Sequence, residues 1–297
     1  KYKKENYNFT LKSRETFILV NNWFMVFFLV TVLIGMLYPI FLDVLTNVKI
    51  SVGPPFFNIV IIPLVVPFMV LMAIGPKFGW VKSKDKIFYK VLFLILGAIV
   101  INLFIIYFFG TYSLLSNLIF IAAIFLILHS FLDIKKFIKN KRNTELARII
   151  SHLGFGLLVF FIGINHQFSL EEDFNLKVGE TKKTYNYKIN FNNIKIKENK
   201  NYKAVIGNFK LTNLNNNLVQ YLNPEIRIYS NPETLTYEAA IKTKITSDLY
   251  LTMSNVSRSD YYNIKFQNKP FMVWIWISAL MIALGGFIQL SFKKNEN

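Results

Sequence analysis

The chain has three histidines and no cysteine, and the residue best placed to do chemistry is His152. It lies inside an apolar run long enough to cross a bilayer. Arg148, His152, Gly156 and Gly163 follow one another at steps of four, four and seven, so a helix puts them on one stripe. A titratable ring at membrane depth is costly, and it is retained for a ligand, a partner or a proton. Glycines on the same stripe let a neighbouring helix or a flat cofactor come close. An axial haem ligand needs a neutral ring nitrogen and room for a planar macrocycle, and this stripe suits both. A proton relay fits the same spacing, and so does simple packing with the ring bonded to a backbone carbonyl of the next helix.

The other two histidines carry weaker signals. His129 sits four residues before Asp133, near the end of the preceding apolar run. If the two helices are antiparallel, His129 and His152 lie at similar depth, which allows a pair spanning one haem. The plainer reading lets His129 snorkel to the interface. His166, in Asn165-His166-Gln167, follows the run and reads as solvated. Trp274 and Trp276 open the last apolar run, where an aromatic belt belongs. Ala279, Ala283 and Gly286 read as a close-packing face of the same helix. No nucleophile, base and orienter occur at a recognisable spacing, and there is no glycine-rich phosphate loop or acidic cation cluster. Absence of cysteine excludes disulfides, thiolate metal sites and self-attachment of haem through thioethers.

The elements that must position these residues are membrane spans. Apolar residues make up 53% of the chain and are blocked into runs. Six runs have the ~20 residues that a hydrocarbon core requires: 16–37, 56–74, 91–109, 114–132, 146–164 and 271–290. The net charge is +17, but its placement argues against nucleic acid. Basic residues cluster in alternate connections: Lys3, Lys4, Lys12 and Arg14; Lys77, Lys82, Lys84 and Lys86; Lys135, Lys136, Lys139, Lys141 and Arg142; Lys293 and Lys294. The opposite short connections hold only Lys49. This positive-inside pattern puts both termini on the cytoplasmic side.

That orientation divides the chain into a membrane domain over 1–166, an extracytoplasmic domain over 167–269, and a sixth span with a cytoplasmic tail over 270–297. The middle block has short β-branched and aromatic stretches at 187–191, 204–211, 225–229, 248–253 and 261–266, which predict antiparallel strands. Residues 213–217 are Asn-rich and read as a loop. On the same outer side, ISVGPPFFN from Ile50 reads as a stiff apolar loop, with a bend at Gly53 and rigidity from Pro54-Pro55. Pro63 and Pro67 are expected to interrupt the second span with a kink. The first residue is Lys rather than Met, and we expect the chain to be the downstream part of something longer or one piece of a split protein. The fold class is thus an α-helical polytopic membrane protein with about six spans and a small β-rich domain between the last two.

Several of these stretches, taken in order, resemble the C-terminal half of the CcmF family of cytochrome c maturation proteins, the haem lyase subunits of CcmF/NrfE type. They are Ser13-Arg14-Glu15, Asn21-Asn22, GMLYP from Gly35, ISVGPPFFN from Ile50, IGP from Ile74, SHLGFGLLVFFIGI from Ser151, EAAI from Glu238, DLY from Asp248 and KPFMVWIWISALMIALGG from Lys269. They cover nearly the whole chain; the third and fourth spans and the outer domain match least.

The resemblance implies a subunit that assists covalent attachment of haem to CXXCH motifs of apocytochrome c outside the membrane. It matches His152 to a transmembrane histidine that ligates a b-type haem, a group fed with electrons from quinol; the stripe adds Gly156 as the residue beside that cofactor. His129 matches no family ligand. The implied partners are a haem-carrying chaperone of CcmE type, a thiol-handling subunit of CcmH type that presents apocytochrome c, and membrane lipid. The implied location is a bacterial inner membrane, or the mitochondrial inner membrane for an organelle gene. The family's tryptophan-rich outer segment and its other ligand histidines have no counterpart in this chain. Two other classes remain open: a polytopic transporter, against which the lack of repeats and midplane polar sites counts, and a subunit of a b-haem quinol oxidoreductase, which normally carries paired histidines in one bundle.

Overall fold

The structure, a computed structural model, describes residues 10, 11, 13–80, 87–110, 113–140, 143–256 and 260–293. The basic residues Lys3, Lys4, Lys12, Lys82, Lys84, Lys86, Lys141, Arg142 and Lys294 lie outside the described residues. Among the described residues, six helices are long and apolar enough to cross a membrane. They are α1 (Arg14–Thr46), α2 (Pro54–Ile74), α3 (Ile87–Phe109), α4 (Leu114–Asn140), α5 (Asn143–Phe168) and α6 (Met272–Lys293). A 3₁₀ turn, Gly75–Lys77, ends α2. The chain is therefore an α-helical polytopic membrane protein with a β-rich block between its last two helices.

Contacts divide the chain into two compact units, 1–163 with 275–297 and 164–274. In the helical unit, α4 lies at the centre of a core with α2 and α3, made by Met69, Ala73, Ala98, Ala122, Ala123, Phe125 and Leu126. Alanine predominates because helices without a hydrophobic drive to associate must approach closely to gain dispersion energy. Asn102 of α3 donates to Asn117 of α4 at 3.1 Å, so the amides satisfy part of their demand inside the bundle.

Local chemistry sets the helix ends. Ser13 caps α1 by accepting from the Thr16 amide. Helix α1 runs on through Pro39 to Thr46, past the expected end at residue 37, because 38–45 remain mostly apolar. Asn47 closes it in the left-handed region, with its N–H on the Asp43 carbonyl. The apolar segment read as a loop is mostly helix: Gly53 is the extended cap, and Pro54-Pro55 form the first turn. Proline loses nothing there, since its missing N–H would have no intrahelical partner. Nor do Pro63 and Pro67 interrupt the span, which is continuous through both.

The second unit is two antiparallel sheets. One has the order β1 (Leu170–Leu176), β10 (Tyr262–Pro270), β9 (Ser247–Asn255), β8 (Ala240–Lys242). The other runs β2 (Thr181–Thr184), β3 (Tyr187–Glu198), β4 (Tyr202–Asn213), β6 (Glu225–Ser230), β7 (Glu233–Glu238), with β5 (Val219–Leu222) also paired to β4. Alternate residues of both sheets fill one core, including Ile189, Phe191, Phe209, Leu211, Leu251, Met253, Ile264 and Phe266. Phe191 and Phe209 stack with centroids 4.2 Å apart.

All five expected strands are found, as β3, β4, β6, β9 and β10, and these are the interior strands. The five that were not expected, β1, β2, β5, β7 and β8, lie at sheet edges or pair with only one neighbour. Edge strands face water on one side and carry charge, so segments such as TKKT over Thr181–Thr184 lack the apolar signature.

Candidate functional site

Within the helical unit, one cavity of about 820 Å³ is walled by α1, α2, α5, the 3₁₀ turn and one residue of α6. That volume is in the range of small-molecule and cofactor sites, roughly 300–1,000 Å³. Each helix contributes a face at helical period. From α1 come Arg14, Phe17, Ile18, Asn21, Met25 and Phe28, and from α2 Ile61, Val65, Phe68, Leu71 and Met72. Helix α5 supplies Ser151, His152, Phe155 and Leu158, and α6 supplies Ile282. The lining is mainly apolar, and its polar members are few: Arg14, Asn21, Ser151 and His152.

The four residues read as one stripe do not share a destination. Arg148 turns to α4, where its guanidinium donates to Asp133 at 2.9 Å. Gly156 also faces α4: a Cβ there would lie 3.0 Å from Ile127 and 3.5 Å from the Ala123 carbonyl. At Gly163 a Cβ would meet the Phe120 ring at 3.0 Å. These three bring α4 close to α5, and none lines the cavity. Gly156, expected beside a cofactor, packs against α4 and does not line this cavity. His152 alone of the four lines the cavity.

A third face of α5 meets α6. Ser151 donates to the Ile282 carbonyl at 3.4 Å. A Cβ on Gly154 would lie 3.0 Å from Ser278 O, and one on Gly285 would lie 2.7 Å from Ala147 O. The close-packing face of α6 is therefore Ser278, Ile282 and Gly285; the expected Ala279, Ala283 and Gly286 are exposed. With α4 on one side and α6 on another, α5 is held so that His152 points into the void. Among the described residues the imidazole has no hydrogen-bond partner, and no main-chain oxygen takes its proton.

His129 does not join His152 in the cavity lining. It is 5% exposed, so it does not snorkel, and its Nδ1 lies 4.0 Å from Asp133 Oδ2. Asp133 is the residue that spacing did not single out. It is 3% exposed and is bridged by Lys77 of the 3₁₀ turn and by Arg148. This ion cluster ties the end of α2 to α4 and α5, one helical turn from His152. Its signal was present as an aspartate four residues after a histidine, but the partners come from distant segments. His166 is exposed, as expected of a solvated ring. No group of three or more His, Cys, Asp or Glu that could hold a metal ion occurs among the described residues.

Fold and cavity together define a polytopic membrane protein carrying a β-sandwich on the loop before its last span. Residues 167–270 match the family model described as the CcmF C-terminal beta-sandwich. The chain is 29% identical over 293 residues to the cytochrome c-type biogenesis protein CcmF of Pseudomonas aeruginosa, covering 95% of this chain and 44% of the relative. It is 28% identical over 289 residues to that of Escherichia coli K12, again covering 95% and 44%. A solved structure titled cytochrome c heme lyase CcmF superposes with a TM-score of 0.73 at 18% identity, over 95% of this chain and 46% of that one. The chain is thus similar, over nearly its whole length, to the C-terminal half of CcmF-type proteins. It spans less than half the length of these relatives.

Proposed function

We propose that this chain is a subunit of a cytochrome c haem lyase, and that His152 is an axial ligand to a b-type haem in the cavity among α1, α2, α5 and α6. The observation that carries the reading is an imidazole without a hydrogen-bond partner lining an apolar void of about 820 Å³. The donor chemistry fits: a neutral ring nitrogen and flat apolar walls of Phe and Ile suit a macrocyclic iron ligand. When bound, such a haem supplies one-electron chemistry, with quinol as the donor in the proposed reaction. His152 would fix the iron's position; Phe68 and Phe155 keep water from it, and the seams at Gly154, Gly156 and Gly285 hold the histidine's helix in place. Gly156 serves this site through the position of α5.

The covalent step belongs outside the membrane, where the apocytochrome CXXCH thiols would be presented. We place the sandwich unit on that side, in a bacterial inner membrane or its mitochondrial counterpart. There it would meet apocytochrome c, a haem-carrying chaperone of CcmE type and a thiol-handling subunit of CcmH type. The absence of cysteine fits a division of labour in which other subunits manage the thiols.

The test is an optical spectrum of the assembly co-expressed with its upstream half. His152→Gly is expected to abolish the b-type absorption while the protein still accumulates, and added imidazole to restore it. An unchanged spectrum would refute the assignment. A cytoplasmic reporter that stays active when fused within 167–269 would refute the sidedness.

A further inference from the structure

Two more polar groups in the cavity are unspent. Arg14 and Asn21 line it from α1, two helical turns apart. The Arg14 guanidinium lies 4.8 Å from the Trp80 ring centroid and has no carboxylate partner among the described residues. The Asn21 amide, likewise, has no hydrogen-bond partner there. Both side chains are partly buried, and a polar group that faces an apolar wall without a hydrogen-bond partner is costly. Three such groups facing one void point to a ligand that satisfies all of them.

The lining is also graded along its length. Helices α1 and α2 pack so that Phe17 touches Gly75, while Phe24 and Phe28 reach Phe68. Arg14 therefore lies at the same end as Gly75-Pro76, and Met25, Phe28, Ile61 and Val65 lie at the other. Arg14 and Phe28 are separated by fourteen residues, or about 21 Å of helix. One end offers a cation, the middle an amide, and the other end only hydrocarbon.

We infer that Arg14 at one end of this cavity and Asn21 halfway along it are its anion-binding groups, meeting peripheral carboxylates of the ligand whose iron His152 takes. This rests on the haem reading above and adds a subsite to it. The chemistry recognised is an anionic oxygen on an otherwise apolar ligand; a lipid phosphate shares it, and the experiment separates the two. The guanidinium stands over the Trp80 ring, and the Arg14 backbone N–H donates to the Gly79 carbonyl at 3.0 Å, which holds the start of α1 beside that turn.

The assembly, with its upstream half, is prepared from haem-deficient cells and titrated optically with iron protoporphyrin and with its dimethyl ester. Arg14→Gln is expected to weaken the acid roughly 10- to 100-fold, the loss of a charge-assisted hydrogen bond, and to leave the ester unchanged. Arg14→Lys, which keeps the charge, should recover part of that loss. Asn21→Asp provides a second variant of nearly the same shape: it should repel the acid and spare the ester. Equal affinities of acid and ester in the unsubstituted protein, with Arg14→Gln affecting neither, would overturn the inference; that is the result a lipid phosphate at Arg14 would give. If His152→Gly loses the band while this occurs, the haem reading stands and the subsite falls. If His152→Gly keeps the band, both fall.

Discussion

The two units of this chain solve packing in opposite ways, and the contrast locates the chemistry. The sandwich encloses large apolar side chains: Phe191 on Phe209, with Tyr187 near Phe266 at 5.3 Å. The helical unit uses small ones, with Ala73, Ala98, Ala122 and Ala123 at its centre and glycines at its α5 seams. Aromatic cores fill space and leave little for a ligand. Small-residue seams bring some helix faces very close, and where α1 and α2 meet α5 a void remains. Of the polar side chains at that void, Asn21 and His152 have no hydrogen-bond partner among the described residues. A binding function is thus expected of the helical unit, and a docking surface of the sandwich.

The largest effects should come from the sandwich core. Phe209→Ala removes a fully buried ring and is expected to cost about 3–5 kcal/mol. Thermal unfolding of the assembly should show a lowered transition while the absorption of the proposed haem is retained. Loss of that absorption together with the sandwich transition would break the separation of roles. Next comes Asp133→Asn, which leaves Lys77 and Arg148 without their counter-charge and should cost about 3 kcal/mol. Its melting temperature should fall, and the haem spectrum should broaden as α5 loses a fixed neighbour; an unaltered spectrum with a normal melt would deny the cluster any positioning role.

Gly285→Ala is a smaller intrusion. Its Cβ would press on the Ala147 carbonyl at 2.7 Å and the Ser151 amide at 2.9 Å, both backbone atoms. Overpacking of this kind costs about 1–3 kcal/mol. Gly286→Ala, with nothing within 4 Å, should be silent in the same melt. If the two behave alike, the seam has been assigned to the wrong face.

The smallest effect concerns pH. The Lys265 ammonium, and then Gln267, hold the Glu171 carboxyl below the usual carboxylate range. Glu171 in turn holds Lys265 above the usual lysine range. A depressed carboxylate adds stability above its unfolded pKa and loses it as pH falls through the folded value. The raised lysine adds stability that is lost only as pH rises through its own folded pKa. The pair therefore acts across neutral pH and fades in acid. Both groups are largely exposed, so Glu171→Gln should change stability by less than about 1 kcal/mol. The difference from the parent should vanish in acid, as measured by melting the assembly across pH.

Much of this architecture was legible in the residues alone. Contiguous hydrophobicity marks a span however the helices are arranged, so six runs became six helices. Interior strands announced themselves through alternating β-branched and aromatic residues, as in β4 and β9. Strands such as β2 and β7 did not, because an edge strand is stabilised by a neighbour's backbone and needs no apolar pattern of its own. His152 stood out because a ring in hydrocarbon is rare for an energetic reason.

What the sequence determined by itself was therefore the number of spans and the presence of a β domain. Only the tertiary structure decided where each face points: Arg148, Gly156 and Gly163 toward α4, Gly285 rather than Gly286 toward α5, and His152, Arg14 and Asn21 into one cavity. Hydrophobic partition acts on a segment regardless of its neighbours, whereas the partner of a helix face is a choice among distant segments. That choice is settled by close packing and by the ion cluster at Asp133, and neither appears until the chain has folded.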